Sequence, residues 1–232
     1  MFRFILLFFW ACVTYLSASE KVFLLHGLAR TSRSMRPLED KLISQGYTVV
    51  NIDYPSRKHP VTQLSRTVRA TITRHLMSPA EPFHVVTHSM GGIILRHIQR
   101  TNPLVTLERV VMLSPPNQGS EVVDKLGAWK LFDLINGPAG QQLGTADSGF
   151  IQTLGDVDFE LGVLTCDRSI NPLLSLLIPD KDDGKVSVER AKVKGMKAFK
   201  VIHATHPLIM RNKEAHENIL AFLQSGVFVD SE

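Results

Sequence analysis

The chain has 232 residues, 44% of them hydrophobic and 21% charged, which suits one domain with a full core. Its formal charge of +4 is diffuse, without a dense Lys/Arg cluster interleaved with aromatics, so nucleic-acid binding is not expected. Two cysteines, Cys12 and Cys166, exclude a disulfide-stapled scaffold.

In chain order, residues 1–19 read as a cleaved secretory signal. Arg3 gives a positive start, residues 4–16 form an uncharged apolar run, and Ser17-Ala18-Ser19 supplies small residues for cleavage. That run of 13 residues is short of the ~20 that span a bilayer. Export with cleavage after Ser19 is the expectation, leaving one domain over 20–232 and Cys166 as a small buried hydrophobe without a partner. Strands are expected at 22–25, 47–52, 83–86, 109–113, 159–165 and 199–202. Their Val, Ile and Leu content lacks polar alternation, as in strands covered on both faces. Helices are expected at 32–45, 61–77, 90–100 and 213–224, with Pro37 near the start of the first, where proline is tolerated. This strand–helix repetition implies an α/β fold: a mostly parallel sheet of about six strands, right-handed crossovers and helices on both faces. Residues 115–155 interrupt the rhythm with seven glycines and the amphipathic stretch 129–135. They read either as a cap or lid excursion over the sheet's carboxyl edge or as two loosely connected crossover helices.

The chemistry centres on residues 87–92, Thr-His-Ser-Met-Gly-Gly, which fall between a buried strand and a helix. A sharp strand–turn–helix at this point would push Ser89 Oγ out of the sheet and aim the first helical N–H groups at the same space. The competing reading is a serine that caps an ordinary helix. A serine nucleophile needs a base, a carboxylate to orient it, and oxyanion donors. Asp183, followed by Gly184 in a turn-rich loop after the fifth strand, is the leading acid, with Asp180 and Asp182 as competitors. A loose calcium site is the other reading of that acidic cluster. His206, after the last strand, leads as base, ahead of His203 at the strand end and His216 within the last helix. The N–H groups of Leu28, in His26-Gly27-Leu28 after the first strand, and of Met90 are the expected oxyanion donors. His26 reads as structural support for its loop.

Together, His26-Gly27-Leu28, the 87–92 turn, Asp183-Gly184 and His206 resemble the α/β-hydrolase superfamily in its small lipase and esterase branch. The segment 115–120, Pro-Pro-Asn-Gln-Gly-Ser, is similar to one found in many lipase-like members. Thr87 departs from the usual glycine of Gly-x-Ser-x-Gly, and the two leading antiparallel strands of larger members have no counterpart. The resemblance implies a three-layer α/β-hydrolase fold. It also implies Ser89, His206 and Asp183 as a catalytic triad acting through an acyl-enzyme, with no cofactor and no metal. The expected activity is hydrolysis of carboxylic esters. The alternatives are acyl transfer on the same triad, or a non-catalytic binding protein that keeps the fold. The expected partner is a small-molecule or lipid ester, with which transient contact with a lipid surface is compatible. No oligomeric state follows from the pattern.

Overall fold

A computed structural model describes residues 19–170, 175, 178 and 181–229. The leader expectation, with Cys12, falls on residues outside these, apart from Ser19, and so does Asp180. Six strands form one sheet: β1 (Lys21–Leu25), β2 (Thr48–Ile52), β3 (Phe83–His88), β4 (Leu107–Leu113), β5 (Glu160–Arg168) and β6 (Ala198–Thr205). Their order is β2-β1-β3-β4-β5-β6, and every pairing is parallel. The chain steps outward from β1 to β2, returns to β3 on the other side of β1, and then proceeds strand by strand. The reversal lies between β1 and β3, where an open α/β sheet has its crevice at the carboxyl ends.

The apolar runs are unbroken in the central strands because helices cover both faces. Phe23, Leu25, Val85, Val110 and Met112 point into one core, shared with α2 (Val61–His75) and α3 (Met90–Thr101). Val22, Leu24, Val86, Val111 and Leu113 point into the other, shared with α1 (Arg36–Ser44) and α6 (Lys213–Ser225). This is the three-layer arrangement that the resemblance implied. Within α2, Val61, Leu64, Val68 and Ile72 recur at helical spacing and are buried. Two expectations need correction. β2 and β6 are the sheet edges and are only partly covered, with Val201 39% exposed. The helix expected over 32–45 is a 3-10 turn at Ser32–Met35 followed by α1.

Between β4 and β5, α4 (Glu121–Leu126) and α5 (Lys130–Gln141) lie at the carboxyl edge of the sheet. α5 is broken at Gly137 (φ 65°, ψ −170°), which precedes Pro138. A Cβ at position 137 would lie 1.9 Å from the Arg57 carbonyl oxygen, so the helix rests directly on the loop after β2 and only glycine fits there.

Candidate active site

The turn between β3 and α3 is a strained elbow. Ser89 has φ 52° and ψ −123°, a conformation that side chains seldom adopt. Its N–H donates to the Leu113 carbonyl at 2.8 Å, which anchors the turn to β4. Ser89 stands at the N-cap position of α3, but its hydroxyl makes no capping hydrogen bond. The simple helix-cap reading therefore has no contact behind it. Small residues let the elbow close. A Cβ on Gly91 would sit 2.7 Å from the Leu25 carbonyl oxygen, and one on Gly92 would sit 3.2 Å from Thr87 Oγ1. Thr87 fits in place of the usual glycine with its hydroxyl buried and, among the described residues, without a hydrogen-bond partner.

Asp183 and His206 meet beneath the carboxyl edge, both buried. His206 Nδ1 donates to Asp183 Oδ2 at 2.7 Å. The other carboxylate oxygen, Oδ1, accepts the N–H groups of Lys185 (3.0 Å) and Val186 (2.9 Å). With its proton on Nδ1, the imidazole keeps a lone pair on Nε2. Asp182, the rival acid, is turned into its own loop, where Oδ1 accepts the Gly184 N–H (2.6 Å) and the Ser175 hydroxyl (2.8 Å). His203, the second candidate base, turns away from the site. Its side chain is exposed and pairs with Asp167 at 2.8 Å. His216 lies in α6 and bonds to the Met210 carbonyl oxygen at 2.8 Å. Among the described residues, no hydrogen bond links Ser89 Oγ to the His206 ring. Catalytic hydrogen bonds are commonly loose until substrate is bound.

The loop after β1 closes the other side. Gly27 abuts the elbow: a Cβ there would lie 2.9 Å from His88 Nδ1 and 3.1 Å from Ser89 Cβ. His26 stacks on Tyr54 with centroids 4.0 Å apart, and the Tyr54 hydroxyl donates to the His26 carbonyl. The Tyr54 N–H donates to His26 Nε2 (3.3 Å), so Nδ1 carries the proton and donates to the Gly27 carbonyl (2.9 Å). Burial lowers the His26 pKa, consistent with that neutral ring. Ala29, at φ 55°, completes the turn. Among the described residues, neither the Leu28 nor the Met90 N–H donates to a protein acceptor.

Two further groups shape the site, His88 and the segment 115–120. The His88 side chain is buried beside His206, with ring centroids 4.9 Å apart, and its Nε2–H donates to the His206 carbonyl at 3.0 Å. Burial first, then the charge of His206, pushes the His88 pKa well below the usual histidine value. The segment 115–120 clamps the acid loop: Ser120 Oγ donates to the Lys185 carbonyl (2.7 Å) and Asn117 Nδ2 to the Ala191 carbonyl (2.8 Å). The position of His88 beside the elbow was visible in the sequence, but its reach across two intervening strands was not.

A cleft of about 250 Å³ opens over Ser89. Leu28 and Val186 flank it, while α4 (Val122, Val123, Leu126) and α5 (Phe132, Ile135) form an apolar wall. The 115–155 excursion therefore supplies much of the cleft. A larger cavity of about 570 Å³ lies on the opposite side of α5, lined by Arg30, Arg57, Lys58 and Asp53 among others, and does not include Ser89.

A family model described as alpha/beta hydrolase matches residues 22–198. A search of curated protein sequences found no match. Among solved structures, the mature lipase BlEst2 of Bacillus licheniformis superposes with a TM-score of 0.66 at 16% identity, covering 91% of this chain and 93% of that one. The metagenomic carboxyl esterase MGS0156 gives a TM-score of 0.70 at 16% identity, covering 83% of this chain and 66% of that one. An extracellular alpha/beta-hydrolase from a Paenibacillus species gives 0.58 at 15% identity, covering 91% and 100%.

Proposed function

This chain belongs to the alpha/beta hydrolase family, and on that footing we propose that it is an exported serine hydrolase of carboxylic esters. The observation that carries the proposal is the strained, uncapped Ser89 opening into an apolar cleft, at the same sheet edge as the buried Asp183–His206 pair. His206 Nε2 takes the Ser89 proton as Oγ attacks the ester carbonyl carbon. The negative charge that develops on the carbonyl oxygen is met by the Leu28 and Met90 N–H groups. When the C–O bond breaks, the imidazolium returns its proton to the leaving alcohol, and an acyl-Ser89 ester remains. Water then loses a proton to the same nitrogen, attacks the acyl carbon and releases the acid and a restored serine. Asp183 stays ionised throughout, fixing the tautomer and stabilising the imidazolium.

The lining of the cleft suits an apolar acyl chain, and a lipase or esterase is named among the structural neighbours. Residues 1–19 read as the export signal, residues 20–232 form the catalytic domain and 115–155 its cap. Among the described residues, no helix is long and apolar enough to cross a membrane. The test is a p-nitrophenyl ester series from acetate to palmitate, run on residues 20–232 and on Ser89→Ala. Turnover is expected in the former and a fall of at least about 10³-fold in the latter. Equal activity in both, or no turnover by either, would overturn the proposal.

A further inference from the structure

We propose that the groove between α2 and α3 binds a tetrahedral dianion, a phosphate or sulfate group, gripped by Arg66 and Arg69. The site lies apart from Ser89 and stands whether or not the chain cleaves esters.

The two helices pack side by side over one core, and a cavity of about 340 Å³ opens between them. α2 lines it with Arg66 and Arg69, and with the hydroxyls of Thr62 and Ser65. These positions are three and four residues apart and share one side of the helix. α3 lines it with His97 and, one turn on, Thr101; Asn102 closes the end. Buried Ile98 is its apolar floor. Among the described residues, no acid lines this cavity.

The donors are set for an anion. Arg69 Nε donates to the Asn102 carbonyl at 2.9 Å, which ties the side chain across the groove from α2 to the end of α3. Its two terminal nitrogens stay unengaged among the described residues, and Arg66 has neither an ion pair nor a side-chain hydrogen bond there. By contrast, Arg109 and Arg190 are paired with Glu160 and Glu121. The His97 ring stacks on Phe150 with centroids 5.5 Å apart, and its Nδ1 is buried without a hydrogen-bond partner. Burial first, then the charge of Arg66, lowers the His97 pKa, and no carboxylate acts in the other direction.

Two guanidinium groups in one acid-free cavity repel each other until a counter-charge arrives. A guanidinium fork matches two oxygens of a phosphate or sulfate, and a second arginine can take a third. A carboxylate offers only two oxygens and one charge, so a dianion is favoured. The volume is at the low end for small-molecule sites and fits such a group, free or carried on a small polar alcohol. His97 stands seven residues beyond Met90, about 10 Å along α3 at 1.5 Å per residue. No residue of the Ser89 cleft lines this cavity, so its occupant does not compete with an ester.

Inorganic phosphate, sulfate, glycerol 3-phosphate and uncharged glycerol are titrated calorimetrically at about 20 mM salt, where screening is weak. The proteins are wild type, Arg66→Met, Arg69→Lys and Arg66→Met/Arg69→Met. Arg57→Met/Lys58→Met, in the separate basic cavity beside α5, is the control. Wild type should bind at least one dianion saturably with Kd below about 1 mM, and should not bind glycerol. Binding should weaken at least about tenfold in the double variant and about threefold in each single one, since a lysine cannot form the fork. The control should bind like wild type. The His97 imidazole signal, assigned by its loss in His97→Gln, should shift on titration. Tighter binding of glycerol 3-phosphate than of phosphate identifies an organic monoester as the ligand, and the reverse identifies the free ion. Arg66 is exposed, so Arg66→Met alone decides the matter if the double variant melts early. Absence of saturable binding below about 1 mM overturns the site. So does binding unmoved by the arginine substitutions or weakened equally by the control. Ester turnover should be unchanged in the double variant, and failure of the site leaves the ester hydrolase reading intact.

Discussion

Asp183→Asn is the most discriminating single change, because the geometry dictates which way the new amide must face. Asp183 Oδ1 accepts two backbone N–H groups, from Lys185 at 3.0 Å and Val186 at 2.9 Å. The asparagine oxygen must stay there, since its NH2 group would otherwise meet two donors. The amide nitrogen then faces His206 Nδ1, which is bonded to Oδ2 at 2.7 Å in the native chain. Nδ1 has to become an acceptor, the imidazole proton moves to Nε2, and that nitrogen can no longer take the serine proton. A base locked in the wrong tautomer loses on the order of 10⁴ in kcat, or about 5 kcal/mol of transition-state stabilisation at 1.36 kcal/mol per tenfold. The fold should hardly notice, with stability within about 1 kcal/mol of wild type. Asp183→Ala should be as inactive but should also strand three buried donors. At about 1–3 kcal/mol each, the loss is about 3 kcal/mol or more, on the order of 10 °C in Tm for a domain of this size. Turnover of p-nitrophenyl butyrate and thermal unfolding of the three proteins make the comparison. An asparagine variant within tenfold of wild-type kcat would refute the orienting role of Asp183. Equal melting of the two variants would refute the hydrogen-bond argument.

Gly27→Ala places a methyl 2.9 Å from His88 Nδ1 and 3.1 Å from Ser89 Cβ, so the β1 loop must back away from the elbow. Ester kcat is expected to drop about 10²-fold, as for a misplacement of about 1 Å, with substrate affinity less affected. Stability should fall as the solution is acidified below pH 6.5. Burial lowers the pKa of His26, His84 and His88, so below 6.5 the unfolded chain binds protons that the folded chain refuses. The loss continues down to the lowered folded values, at no more than about 1.4 kcal/mol per pH unit for each histidine. Urea unfolding across that range should show the slope, and His88→Gln should reduce it by about one proton. Arg96 is a buried tie whose guanidinium donates to the carbonyls of Asn117 (2.7 Å) and Gly155 (2.6 Å). Arg96→Leu strands both acceptors and should cost about 3 kcal/mol in denaturant unfolding with an unchanged m-value.

The layered architecture was legible because covered strands carry apolar runs without polar alternation, as β1 does at 22–25, β3 at 85–86, β4 at 110–113 and β5 at 161–164. The same reasoning misjudged β2 and β6, which hold short runs of Val and Ile but whose edge position leaves them partly open. Edge or centre is decided by strand order, a long-range property that no local run of residues records. The serine stood out because a strand–turn–helix with paired glycines is a local pattern. The candidate acid was ambiguous among neighbouring aspartates in the sequence, whereas in the fold Asp182 turns to its own loop and Asp183 turns inward to His206.

Two strands, β4 and β5, intervene between the strand that ends at the elbow and the strand that ends at His206. At about 4.8 Å per strand, the base loop has to return roughly 14 Å across the sheet edge. The His88 ring, one residue before Ser89, meets that loop by holding the His206 carbonyl. A rigid five-membered ring thus acts as a gauge block between the two arms of the site. Their separation is held by the span of one imidazole as well as by the strands between them. Position 88 itself admits few replacements, because a flexible side chain of the same reach would no longer measure anything.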